Sequence, residues 1–215
     1  MAFSDEMWEW ISPIRTAIDA LPLLAGMEDG TLPRDAFNYY LAQDAHYLAS
    51  YGRVLATIAG QADRPDELLF WAKSASTTVA VERELHAAHV PNCEAARKSP
   101  TCTAYTSYLF SLTAGGCYPA AVAGVLPCFW IYEDVGRRLT ERVGELSGHP
   151  YADWIGTYGD PEFAASTEQA RVILDRLADE ADQGTRLRMG EAFTTAARYE
   201  WMFWDAAWRT ESWPV

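Results

Sequence analysis

Positive charge is scarce in this chain. Seventeen Lys and Arg stand against 30 Asp and Glu across 215 residues, a net charge of -13. Such a surface repels phosphate backbones and anionic lipid, which argues against a nucleic-acid or membrane partner. Cysteine is sparse as well. Cys93, Cys102, Cys117 and Cys128 form no C-x-x-C pair, and a chain of this size needs no disulfide staples. Free thiols in a cytoplasmic protein are expected. The first ten residues are acidic and aromatic, without the basic and apolar regions of a signal peptide. No G-x-S-x-G and no phosphate-cradling glycine loop occurs. No segment alternates over a strand length, and the one Asp-Gly pair, Asp29-Gly30, falls in an expected loop.

What is abundant is helical pattern. Prolines open runs and glycines close them. Helices are expected over 5–20, 33–59, 65–89, 101–114, 119–143, 151–158, 166–181 and 185–209. The stretch from Ser99 to Tyr132 carries no charge but contains Pro100, Gly115, Gly116, Pro119 and Pro127. Two buried helices joined at Gly115-Gly116 explain it better than a membrane span. The expected architecture is all-α: a single domain over 1–215, one compact bundle of about seven or eight helices.

Two carboxylates sit where leucines belong. Phe37, Tyr40, Leu41, Asp44, Tyr47, Leu48 and Tyr51 follow the rhythm of a core-facing helix stripe. Phe193, Ala196, Ala197, Glu200, Phe203, Trp204 and Ala207 follow it too. A buried carboxylate is costly unless something pairs with it. Asp44 either joins Tyr47 in holding a proton or pairs with an Arg such as Arg53. Glu200 either has a raised pKa suited to a general acid or forms a structural ion pair. Cys128 follows Pro127, which either begins a helix or kinks a longer one. In the first case the helix dipole favours a thiolate; the alternative is that Cys128 is a small buried hydrophobe, since Ala121, Gly124, Val125, Ile131, Tyr132 and Val135 share its face. Nine Trp and eleven Tyr supply aromatic walls, and with a few polar groups these suit a flat heterocycle. Tyr105, Tyr132 and Tyr158 bear hydroxyls in the uncharged region or at a turn. Glu82, His86 and His89 share a helix face, but His46 and His149 do not complete a di-iron set, so a solvated or structural pair is expected.

These segments resemble the TenA (thiaminase II) family, which has a haem-oxygenase-like all-α fold. The matching stretches are 37–48, 100–109, 126–133, 151–159 and 199–205, in family order and over most of the chain. The resemblance implies that Cys128 is a nucleophile, Glu200 a proton donor and Tyr47 the tyrosine that activates the thiol. It implies that Asp44 binds a pyrimidine, that Tyr132 and Tyr158 bind substrate, and that Tyr105 and Phe203 pack against the ring. The implied activity is hydrolysis of an aminopyrimidine: thiamine, or the aminomethyl pyrimidine left by its breakdown. It needs no metal or organic cofactor. The implied assembly is a homotetramer. Two competing readings are a haem or di-iron oxygenase-type enzyme on the same fold, and a non-catalytic pyrimidine-binding protein.

Overall fold

The computed structural model describes residues 1–89 and 97–215, with side chains for 1–80 and 97–215. Its elements are α1 (Phe3–Trp10), α2 (Ser12–Asp19), α3 (Pro22–Glu28), α4 (Arg34–Gln61), α5 (Pro65–His89), α6 (Pro100–Ala114), α7 (Tyr118–Val143), α8 (Ala152–Tyr158), α9 (Pro161–Glu180) and α10 (Gln183–Trp208). The architecture is all-α, as the sequence pattern predicts. Among the described residues there are ten helices rather than seven or eight. The expected first helix breaks at Ile11, because Pro13 lies in the first turn of α2. Pro22 opens a further short helix, α3, instead of only ending the one before. Asp160 caps α9 through Glu162 N at 2.7 Å, so Pro161 starts the helix that was expected at Ser166. At α6 the cap is Ser99, which accepts from Cys102 N at 3.1 Å, so the helix begins at Pro100, one residue before its expected start.

The long helices α4, α7 and α10 surround the centre. α4 packs along α5, α10 along α7, and α6 and α8 close the sides. Trp71, Trp154 and Trp204 are fully enclosed there. Burying each such ring contributes a few kcal/mol. Both acid-bearing stripes face inward over their whole length, Asp44 and Glu200 included. The uncharged stretch forms α6 and most of α7 across a bend at Gly115-Gly116. Among the described residues no helix is long and apolar enough to cross a membrane. The Glu82, His86 and His89 face and Cys93 lie outside the described side chains.

One glycine sets the position of α8. A Cβ at Gly136 would stand 2.4 Å from the backbone carbon of Tyr158. Only glycine lets α8 lie this close to α7. The contact places Tyr158 beside Tyr132, with ring centroids 4.8 Å apart.

Candidate active site

Three helices deliver the sequence-predicted residues to one place. α4 brings Asp44 and Tyr47, α7 brings Cys128 and Tyr132, and α10 brings Glu200 and Phe203. α6 adds Tyr105 and α8 adds Tyr158. Tyr47 lies 5.0 Å from Tyr105 and 5.5 Å from Phe203 between ring centroids, so these three pack as one cluster. Tyr132, Tyr158 and Trp154 pack as a second cluster.

Pro127 lies inside α7, not at its start. It kinks a longer helix, and Cys128 has no helix N-terminus beneath it. The dipole argument for a resting thiolate therefore fails. Burial pushes the thiol well above its ordinary pKa, and the Glu200 charge adds to the rise. The Tyr47 and Tyr51 hydroxyls oppose it by hydrogen bonding. Their contributions differ in kind. Tyr51 Oη donates its proton to the Val125 carbonyl at 2.7 Å, next to the proline break. Tyr47 Oη makes no hydrogen bond of full geometry among the described residues. Its proton is therefore the one available to the sulfur. Tyr51 was visible in the sequence only as a stripe residue. Its spacing of seven from Asp44 and four from Tyr47 was the signal for its place at the thiol.

Glu200 is 1% exposed. Tyr105 Oη donates to its Oε1 at 2.6 Å. Among the described residues no Lys or Arg reaches it. Burial pushes its carboxyl from 4.5 up to about 8; the Tyr105 hydrogen bond pulls down and the Asp44 charge pushes up. A structural ion pair is thus excluded for Glu200 among these residues, and a protonated acid at neutral pH is what remains. Asp44 is 2% exposed, and its charge raises the pKa of both Cys128 and Glu200. The three groups lie close enough to feel one another. Arg53, the alternative partner for Asp44, is exposed and donates to the Ala49 carbonyl at 2.8 Å.

A cavity of about 150 Å³ opens at the sulfur. That is the size of void that takes a single six-membered ring. Cys128, Tyr51, Phe129, Tyr158 and Phe163 line its inner part. Lys73, Ser74, Thr78, Thr157, Ser166 and Gln169 contribute to its rim. These rim residues come from α5, α8 and α9, and no sequence signal marked them. Of the expected site residues only Cys128 and Tyr158 line this cavity; Asp44, Tyr47, Tyr105, Tyr132, Glu200 and Phe203 are buried in the packed core and do not line it.

The family model of the TENA/THI-4/PQQC family matches residues 14–210. The chain belongs to that family. Two curated relatives are similar over most of this chain. One is the thiamine biosynthesis multifunctional protein ThiED of Corynebacterium glutamicum, 36% identical over 96% of this chain; the match spans only 27% of that longer protein. The other is the aminopyrimidine aminohydrolase of Bacillus subtilis, 34% identical over 89% of this chain and 84% of the relative. Among solved structures, a TenA homologue from Pyrococcus furiosus superposes with a TM-score of 0.88 over 95% of this chain and 99% of that one. At 22% identity that likeness speaks for the fold. Within this TENA/THI-4/PQQC chain a second buried thiol, Cys102, does not line the cavity. Burial pushes Cys102 up to about 12, and its sulfur donates to the Gln43 carbonyl at 3.6 Å.

Proposed function

We propose that this protein is a hydrolase of thiamine salvage that cleaves an aminopyrimidine through a covalent adduct on Cys128. The observation that carries the reading is the Glu200 carboxyl, enclosed and close enough to raise the pKa of that thiol, with no Lys or Arg on it among the described residues. The name of the Bacillus subtilis relative supports the same substrate class.

Each residue has a role in the proposal. Glu200 gives its proton to a ring nitrogen and makes the ring electrophilic. Cys128 adds to the unsubstituted ring carbon, helped by the Tyr47 hydroxyl and by the positive charge just placed on the ring. Asp44 accepts from the exocyclic amine and fixes the orientation of the ring. The ring electron pair expels the group on the neighbouring methylene. When that group is an amine, it takes the thiol proton and leaves as ammonia. Water adds its hydroxyl to the methylene and returns a proton to the sulfur as the C–S bond breaks. The ring proton goes back to Glu200. Tyr132 and Tyr158 hold the substrate, and Tyr105 and Phe203 pack on its ring. A cytoplasmic homotetramer, with the whole chain as one domain, belongs to the same reading.

The test is a side-by-side assay of the purified protein with the aminomethyl aminopyrimidine and with thiamine. Hydroxymethyl pyrimidine is expected from at least one of them, and none from the Cys128→Ser variant. No product from either substrate, or full activity in Cys128→Ser, overturns the proposal. Light scattering at micromolar concentration tests the tetramer.

A further inference from the structure

α6 begins without an anion of its own. Its first turn holds no Asp or Glu. Ser99 takes one of the free N–H groups there, that of Cys102. A second is taken by the far end of the chain. Glu211 Oε2 accepts from Thr101 N at 2.9 Å, and Glu211 Oε1 accepts from Thr101 Oγ1 at 3.0 Å. A carboxylate at the positive end of a helix gains both hydrogen bonds and a favourable field. Glu211 lies just beyond α10, the helix that carries Glu200.

The chain bends sharply to bring it there. Thr210 has a φ of +46°, and it is the one non-glycine residue with positive φ among the described residues. A β-branched side chain is strained in that conformation. Such strain persists where the surrounding contacts over-determine it. Three further bonds hold this turn and the segment after it. Glu211 N donates to the Ala206 carbonyl at 2.9 Å. Tyr39 Oη donates to the Glu211 carbonyl at 2.5 Å, and Trp213 Nε1 to the Lys98 carbonyl at 2.9 Å.

α6 and α10 are thereby joined at two levels. Thr101 and Tyr105 stand one turn apart on the same face of α6. Thr101 meets Glu211, and Tyr105 Oη meets Glu200 at 2.6 Å. Tyr199 of α10 also stacks on Tyr105, with centroids 5.1 Å apart and planes 11° from parallel. Stacked rings can slide in their plane, so this contact does not fix the hydroxyl against the carboxyl. The tie at Thr101 does fix where the first turn of α6 sits along α10.

We infer that Glu211 is a positioning residue: by holding the first turn of α6 against the end of α10, it keeps Tyr105 Oη on the Glu200 carboxyl. This hold on Glu200 is independent of which substrate the site takes. The titratable groups that face Glu200 are Tyr40, Asp44, Tyr47 and Tyr51 from α4, Tyr105 from α6, Cys128 and Tyr132 from α7 and Tyr158 from α8. Glu211 is not among them, so it acts on Glu200 through α6 and not through its charge.

The test follows the protonated Glu200 carboxyl band by infrared titration from pH 5 to pH 10, in the wild type, Glu211→Ala, Tyr105→Phe and the double variant. The Tyr105 hydrogen bond pulls the Glu200 pKa down against burial, so a loosened Tyr105 lets it rise. In Glu211→Ala the band should disappear about half a pH unit higher than in wild type, in the same direction as in Tyr105→Phe. Charge alone would act with the opposite sign, because losing a nearby negative group favours the carboxylate. The double variant should titrate with Tyr105→Phe, since the tie then has no hydroxyl to place. Glu211→Asp keeps the charge and withdraws the acceptors by one methylene. It should give a smaller rise, and it carries the test if Glu211→Ala does not fold. A merely structural role would lower the melting temperature of Glu211→Ala and leave its band at the wild-type pH. That result, a shift to lower pH, or an equal rise in the Tyr105→Phe background overturns the inference. Failure to form hydroxymethyl pyrimidine would remove the proposed reaction and leave this tie standing.

Discussion

Two glutamates in this molecule are buried to nearly the same degree and do opposite things. Glu67 is 3% exposed and Glu200 is 1% exposed. Each accepts a tyrosine hydroxyl, from Tyr118 at 2.7 Å and from Tyr105 at 2.6 Å. The difference is a cation. Arg176 closes on Glu67, with Nε to Oε1 at 2.7 Å, and ties α9 to α5. Nothing comparable reaches Glu200 among the described residues, and its carboxyl rises to about 8. Burial alone therefore does not mark a reactive acid. Burial without a countercharge does, because the group must then stay protonated.

The comparison can be broken in several ways, beginning with the largest effect. Cys128→Ser or Glu200→Gln should lower turnover by at least ~100-fold, the scale of a lost positioned proton-transfer group, with circular dichroism unchanged. Stability should move the other way. Folded Glu200 binds its proton up to about pH 8, whereas an unfolded glutamate releases it near 4.5. Across that window the folded state holds more protons, so stability falls as pH rises. Glu200→Gln removes this slope. Urea melts should find the variant equal to wild type near pH 4 and more stable by about 3–5 kcal/mol above pH 8. Glu67→Gln should behave in reverse. It should cost about 2–3 kcal/mol at pH 7, below the full penalty of a broken buried pair because Arg176 keeps some solvent, while the folded fraction keeps its activity. The smallest effect belongs to Tyr105→Phe. The lost hydrogen bond favours the carboxylate, so the pKa of Glu200 should rise. The alkaline limb of the rate profile, near pH 8 in wild type, should then move up by about one unit.

How much of this could be read from the chain depends on the distance between partners. α5 was visible end to end, because Pro65 opens it and its rhythm is local. The α4 and α10 stripes were visible for the same reason, and with them Asp44, Tyr47, Glu200 and Phe203. α3 was missed because seven residues carry too little periodicity. Cys128 stayed ambiguous, since Pro127 is equally consistent with a helix start and a kink. The structure chose the kink, and with it a raised thiol pKa rather than a lowered one. The Glu67–Arg176 pair joins residues 109 apart and left no trace in the sequence. The same holds for the rim that α5, α8 and α9 build around the cavity.

The most direct test reads the proton on Glu200 itself. Infrared difference spectra of the folded protein, titrated from pH 5 to pH 9, should show a protonated carboxyl band that disappears near pH 8. The band should be absent from Glu200→Gln and intact in Glu67→Gln. A spectrum without any protonated carboxyl above pH 6 would contradict the account.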